Sequence, residues 1–382
     1  MRTKNVVVKV VENTNKMETE MKRFVGICLG TLMCSTAYAQ SNVTLYGLID
    51  GGISYVSNQG GHSVTKFDDG IYTPSMFGLT GNEDLGGGTS AIFNLQSQFQ
   101  LGTGSVLQQG IFGRNAYVGL KSSRFGQLTL GNVYDFMSAS LLDKGNNPSA
   151  LTGGLYSFAA GPFQKLGIPQ NSTGWFDWSR ASGIQMNSSI KYESPVFAGF
   201  SFGALYAPGG VSGSFGANSG MSFGANYVAG PFGLGAAYTE KKYAGSSGGS
   251  PQIPIRNWGV GTHYVLGPVY LVADLVTVRN ALSGATAWAA QAGASWHLTP
   301  AFSLGASYMY MKGNEVLDGN HAHQVSTIAN YSLSKRTTVY VEGIYQRANS
   351  GAQAAINGIM DTSGSSSNAS QAIARVGVHT MF

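Results

Sequence analysis

Sixteen stretches between Val43 and Phe382 alternate apolar and polar residues with a period of two, which is how strands with one oily and one wet face are written. In the last stretch Ala374, Val376, Val378, Thr380 and Phe382 share one parity, and Arg375, Gly377, His379 and Met381 share the other. An early stretch sets Ala91, Phe93, Leu95, Phe99 and Leu101 against Asn94, Gln96, Gln98 and Gln100. Later ones oppose Trp288, Ala292, Ala294, Trp296 and Leu298 to Gln291, Gly293, Ser295 and His297, and Phe302, Leu304, Ala306, Tyr308 and Tyr310 to Ser303, Gly305 and Ser307.

The connections alternate in length. Short ones fall at 84–88, 122–124, 195–196, Gly230, Gly267, Thr299 and 334–335, rich in the Gly, Pro and Ser that tight reversals use. Between them lie long polar segments at 58–70, 102–110, 135–183, 208–220, 244–254, 279–284, 313–320 and 348–371. The short ones are predicted on one side of the sheet and the long ones outside, on the other.

In a soluble barrel the apolar face must be the inner one, yet sixteen strands enclose far more space than such small side chains can fill. The apolar face is therefore predicted to point into lipid, and the fold to be all-β: a sixteen-stranded antiparallel transmembrane β-barrel around an aqueous lumen. Asp50, Asp274 and Glu342 fall on the polar parity. A charge on the lipid face costs roughly 2 to 4 kcal/mol for Arg or Lys at the midplane, so these carboxylates are expected to face water. Trp288, Trp296, Tyr308, Tyr310 and Tyr331 fit an interfacial aromatic girdle.

Segment 135–183, about 49 residues, exceeds the length at which a structureless loop is usually functional. It carries Phe158, Trp175, Phe176 and Trp178, aromatics that folding inward against the wall would bury; the alternative is a packed external lid or trimer-contact loop.

Composition narrows the class. Of 382 residues 54 are Gly and only 11% are charged, too few for an ordinary soluble surface. At the N-terminus Lys22 and Arg23 precede the apolar run 24–33 and then Ala37-Tyr38-Ala39, so 21–39 reads as a signal peptide cleaved before Gln40. Residues 1–20 read as an upstream extension with Met21 the natural start, and 40–382 as the barrel. Both cysteines, Cys28 and Cys34, fall in the leader, which leaves no thiol or disulfide chemistry in the mature chain. Of 23 Lys+Arg and 18 Asp+Glu, residues 1–39 hold six and three, leaving 17 and 15 and a net of +2. A nucleic-acid partner loses its support. His321 and His323 form an HxH pair without a third ligand and read as solvated loop residues. No GxSxG run marks a nucleophile, so neither enzyme nor cofactor is expected.

Four stretches carry a resemblance: 43–50 (VTLYGLID), 77–88 (FGLTGNEDLGGG), 114–120 (RNAYVGL), and Tyr192-Glu193-Ser194-Pro195 with Gly199-Phe200. The terminal Phe382 completes it. Residues 40–382 thus resemble the trimeric Gram-negative general porins, most closely their β-proteobacterial branch. The resemblance implies a homotrimer in the outer membrane among lipid and lipopolysaccharide, and a third loop folded into the lumen. It also implies a C-terminal strand read by the barrel-assembly machinery, and passive diffusion of ions and small hydrophilic solutes. At the constriction such proteins set wall arginines against carboxylates of the third loop. Here the corresponding wall positions are Met76, Arg114, Gln185 and Asn132, so a single cation is kept. Arg180, Lys144 and Lys165 are candidates to compensate, opposite or beside Asp135, Asp143 and Asp177. The depleted cluster leads us to expect weak charge selectivity. The alternative reading is a substrate-specific channel, or an adhesin or structural barrel whose loops carry the purpose.

Overall fold

The computed structural model describes residues 42–107, 110–169, 171, 176–245, 251–359 and 364–382. The extension 1–20, the segment 21–39, both cysteines and Trp175 lie outside the described residues. The first strand segments are β1 (Asn42–Gln59), β2 (His62–Asp69), β3 (Met76–Gly86), β4 (Thr89–Gln98), β5 (Asn115–Ser122) and β6 (Gly126–Tyr134). After the third loop come β7 (Gln185–Glu193), β8 (Phe200–Ala207), β9 (Gly220–Ala229), β10 (Phe232–Tyr243), β11 (Ile253–Leu266) and β12 (Val269–Asn280). The last are β13 (Thr286–His297), β14 (Phe302–Gly313), β15 (His321–Ser332), β16 (Thr337–Ala348) and β17 (Ser370–Met381).

Antiparallel pairing runs around the sheet, and β17 returns to β1, so the ring closes. β1 pairs with β3 through residues 42–48 and with β2 through residues 51–59. β2 and β3 are therefore two halves of one stave, interrupted at residues 70–75, and the seventeen segments build sixteen staves. This corrects the expected outside loop at 58–70. Val64-Thr65-Lys66-Phe67 continues the alternation, so β1 climbs to Gln59, reverses at Gly60-Gly61 and descends as β2. On the opposite edge Gly230 and Gly267 sit at φ 57° and 56°, a region glycine enters without penalty, and each closes a tight hairpin.

The two faces separate as the parity requires. Val376 is 60% exposed while its neighbour Arg375 is 1% exposed. Trp288 and Trp296 are both exposed, eight residues apart on β13. That is about 27 Å along a strand, which tilt brings close to the roughly 25 Å of an apolar band.

The inner face is not simply wet, which corrects the expectation for its charges. Arg375 donates to Tyr340 Oη at 2.9 Å and Ser54 Oγ at 3.0 Å and pairs with Asp50 at 3.4 Å and with Asp68. Asp50 also accepts from Tyr340 Oη at 2.7 Å and from the Ile71 amide at 2.8 Å. Asp274 accepts from Asn147, and Glu342 is 1% exposed. None of the three carboxylates faces open water, because loop segments cover them.

Where β17 meets β1 the terminal residue seals the seam. The Phe382 amide donates to Gly47 O at 3.0 Å and the Gly47 amide to Phe382 O at 3.1 Å. A Cβ on Gly47 would stand 2.2 Å from Cζ of the Phe382 ring, so only glycine fits beneath it. Gly47→Val is expected to cost about 1–3 kcal/mol by overpacking. The measurement is the temperature at which the folded barrel converts to its slower-migrating unfolded form on a detergent gel, which should fall. An unchanged temperature would show that the ring moves aside freely.

Candidate functional site

The described residues of segment 135–183 follow the inner face strand by strand. The Phe136 amide donates to Ser222 Oγ on β9 at 2.9 Å, and Thr239 Oγ1 on β10 donates to Asp135 Oδ2 at 2.7 Å. Asn146 Oδ1 lies 2.8 Å from His263 Nδ1 on β11, and Asn147 bonds Asp274 on β12. Ser149 bonds Gln291 on β13 at 3.1 Å, and Thr152 bonds Ser307 on β14 at 2.7 Å. Gln324 on β15 donates to Ser157 O at 3.0 Å, and Tyr156 Oη donates to Asp68 on β2. The segment then returns along the same arc nearer the strand ends. Asn280 donates to Leu166 O and Asn257 to Trp178 O, both at 2.9 Å.

Apolar packing holds the two passes. Phe136, Leu141, Phe158, Phe163, Leu166 and Trp178 form one buried cluster with wall residues such as Ile255, Val276, Val278, Met309 and Met311. These wall residues share the inner parity with Asn257, Asp274 and Ser307. The Trp178 indole donates to Ala160 O at 2.6 Å, so its polar atom is satisfied.

Residues 349–359 and 364–369 add a second cover, although the sequence pattern placed them outside. Gln346 and Gln371, inner residues of β16 and β17, bond the backbone of Ala355 and Ile356 at 2.7 Å each. Asn357 and Gly161 tie this segment to the third loop, also at 2.7 Å. Ile356 and Ile359 are buried with Val56, Ile71, Tyr156, Ile344 and Ile373. The apolar residues of Ala354-Ala355-Ile356 and Ile359, set in a Ser/Gly-rich stretch, were the available signal.

The expected constriction residues divide into two groups. Arg114, Met76 and Gln185 are joined on the wall: Arg114 Nη1 donates to Gln98 Oε1 at 2.6 Å, and Gln98 is the cross-strand partner of Met76. The Arg114 guanidinium lies 5.3 Å from the Tyr134 ring centre, whose hydroxyl accepts from Gln185 at 2.7 Å. Asn132 shares parity with exposed Leu128 and Leu130 and donates to Gly113 O at 2.8 Å.

On the loop, Asp135 and Asp177 are buried and fully engaged in holding backbone. Asp135 accepts from the Ser138 and Ile184 amides at 3.3 Å each, which ties the two ends of the segment together. Burial raises its pKa, against the Thr239 hydroxyl, Arg180 and those two amides. Asp177 accepts from the Ser179 and Ser182 hydroxyls at 2.6 and 2.9 Å; burial raises it as well, against those serines. Arg180 sits at φ 58°, donates to Tyr243 Oη at 2.9 Å and leaves Nη1 without a partner. It shares with Asn132, Asp177, Gln185 and Lys241 a cavity of about 690 Å³.

Asp143 differs, since its side chain is exposed. Crowding by the surrounding barrel raises its pKa, Lys191 lowers it, Glu193 raises it, and Arg114 and Lys144 lower it. Water at its tip limits the rise. Lys191, missed in the sequence, is 8% exposed and lies 4.6 Å from the Phe136 ring centre and 3.6 Å from Glu193. Its lysine-glutamate spacing looks like ordinary strand polarity. Lys165 pairs instead with Asp318 at 2.7 Å on the exposed rim.

A closed barrel that is apolar outside and lined by loops inside defines an integral outer-membrane protein of the β-barrel class. Within that class the chain belongs to the Gram-negative porin family, whose model matches residues 27–352. An outer membrane porin protein of Bordetella pertussis is 28% identical over 262 residues, 60% of this chain and 62% of the relative. Outer membrane porin protein 32 of Delftia acidovorans is 32% identical over 188 residues, 47% of this chain and 48% of the relative. The matched region thus spans less than two thirds of the length of these curated relatives. Among solved structures, an anion-selective porin from Comamonas acidovorans superposes with a TM-score of 0.73 at 23% identity, over 90% of this chain and 100% of that one.

Two outcomes test how the loops are held. Because Asp135 and Asp177 carry raised pKa values in the closed loop, closing is favoured as pH falls from their raised pKa toward 3.8 and weakened as pH rises through it. Hydrogen exchange of residues 136–184, corrected for intrinsic rate, should slow as pH is lowered toward 3.8, and Asp135→Asn with Asp177→Asn should flatten that trend. Gln346→Ala with Gln371→Ala strands buried backbone groups, at about 1–3 kcal/mol each. Exchange at Ala355 and Ile356 should then quicken while the β16–β17 ladder stays protected.

Proposed function

We propose that the chain forms a water-filled channel for passive diffusion of ions and small hydrophilic solutes, with segment 135–183 folded into the lumen to narrow it. The observation that carries this reading is the series of contacts from β9 through β15, which covers one arc of the inner wall. Tyr46, Thr80, Asn94 and Tyr117 on the facing arc keep part of their surface open. A passage bounded by those polar residues on one side and by the loop on the other needs neither cofactor nor turnover.

Charge across that passage is sparse. Arg114 and Lys191 on the wall stand toward Asp143 and Glu193, while Met76 and Gln185 contribute none. Asp135 and Asp177 are engaged by backbone amides and by the Thr239, Ser179 and Ser182 hydroxyls, and add little to a transverse field. The proposed pore therefore has weak charge selectivity, unlike the anion-selective porin of Comamonas acidovorans. We further infer a homotrimer, supported by the apolar arc of Ile53, Tyr55 and Phe67 on β1 and β2. Removal of 21–39 as a signal peptide, with translation from Met21, and recognition of the C-terminal strand by the assembly machinery complete the reading.

Single-channel recording in a planar bilayer under a tenfold salt gradient tests it. Stepwise ohmic openings are expected, with a reversal potential far below the about 59 mV of an ideally selective pore. Arg114→Gln should move it toward cations and Asp143→Asn toward anions. A strong anion preference in the unmodified protein, or no conductance, would sink the proposal.

A further inference from the structure

Where the returning limb of the third loop meets the long-loop ends of β6, β7 and β10, it leaves the cavity of about 690 Å³. Its lining holds two cations, Arg180 and Lys241, together with the apolar side chains of Phe112, Ile168 and Phe176. The volume falls in the range of small-molecule sites, which combine apolar walls with a few convergent polar groups.

Both cations converge on one ring. The Arg180 guanidinium carbon lies 5.8 Å from the centre of the Tyr243 ring, and the Lys241 ammonium lies 5.7 Å from the same centre. Lys241 and Tyr243 share the parity of Thr239, which bonds Asp135, so they meet the loop and not lipid. Arg180 is 3% exposed and held at φ 58°, a region that costs a residue with a side chain about 1–3 kcal/mol. Its Nη2 donates to Tyr243 Oη at 2.9 Å, and its Nη1 has no acceptor. A buried donor left in that state costs about 1–3 kcal/mol, and more on a charged group.

Among the described residues neither Arg180 nor Lys241 has an ion pair. Two carboxylates are near, and both are engaged elsewhere. Asp177 accepts from the amides and hydroxyls of Ser179 and Ser182, and Asp135 accepts from the Thr239 hydroxyl and the Ser138 and Ile184 amides. Burial raises the pKa of each, which lightens the negative charge facing the two cations. The cavity therefore offers two positive groups and, among its described lining residues, no unengaged carboxylate.

We propose that this cavity binds the carboxylate of a solute with an aromatic or otherwise apolar body. The carboxylate lies between Arg180, whose planar fork matches it, and Lys241. The body packs on Phe112, Ile168 and Phe176, surface that a small hydrated anion would leave unused. Gln185, also in the lining, donates to Tyr134 Oη at 2.7 Å, and the Tyr134 ring carries Arg114 at 5.3 Å, so this subsite adjoins the wall group. Passage of the solute rests on the channel reading, whereas its binding does not.

Equilibrium dialysis of the full-length barrel, folded in detergent, against radiolabelled benzoate is the test, and saturable binding is expected. Unlabelled benzamide, which keeps the ring without the charge, should displace the label about tenfold less well than unlabelled benzoate. Acetate, which keeps the charge without the ring, should be weaker by a similar factor, and inorganic phosphate should do no better than acetate. Arg180→Gln and Lys241→Gln should each weaken binding about tenfold, and Arg124→Gln, in a short turn at the opposite edge, should leave it unchanged. Absence of saturable binding to the unmodified protein overturns the proposal. Displacement by benzamide, acetate or phosphate equal to that by benzoate overturns it too, whether or not any variant folds. So does an equal loss in Arg124→Gln. Dialysis needs no conductance, so failure of this site and failure of stepwise openings are separate outcomes.

Discussion

Hydrocarbon offers no partner to a backbone amide, so every strand that crosses a bilayer must find its hydrogen bonds on both sides within the protein. The pairing of β17 with β1 through nine registered positions is what satisfies that condition. A sheet of this length left open would present two unpaired edges to lipid. Around the seam the protein adds the Arg375, Asp50, Asp68 and Tyr340 network on the inner side. Buried ion pairs of this kind give up hydration for geometry and contribute more to uniqueness of arrangement than to net stability.

Once closed, the wall has an interior to fill, and the chain fills it unevenly. Small and medium apolar residues on the inner parity of β11–β14 accept the aromatic side chains of the third loop, and Asn257 on β11 and Gln324 on β15 cap its backbone. On the facing arc Tyr46, Thr80, Asn94 and Tyr117 are only partly buried. The same alternation that separates the two faces of the wall therefore serves a second division within, between a tightly packed arc and one left partly open.

The barrel was legible because its constraint is local and periodic: parity at Val376 and Arg375, or at Trp288 and Ala289, follows from two-residue spacing alone. Loop placement was only partly legible. The aromatic content of 135–183 pointed inward, but the acids there look alike in sequence, and only the fold separates Asp135 and Asp177, which hold backbone, from exposed Asp143. Lys191 escaped notice because its role depends on which loop passes over β7, a matter of distant contacts. The same holds for Gln346 and Gln371, ordinary strand polars until residues 349–359 bend over them. The hairpin of β1 and β2 was hidden by a glycine-rich tip that mimics a loop.

The ring of Phe382 rests on Gly47, 335 positions earlier in the chain. Such a contact has nearly the greatest loop-closure entropy this polypeptide can incur, and topologies dominated by distant pairings assemble slowly. The cylinder therefore closes only when β17 reaches β1, so it cannot be completed until that last strand has been made. Until then its greasy strands need shelter from one another, and loss of Phe382 strikes the joint itself.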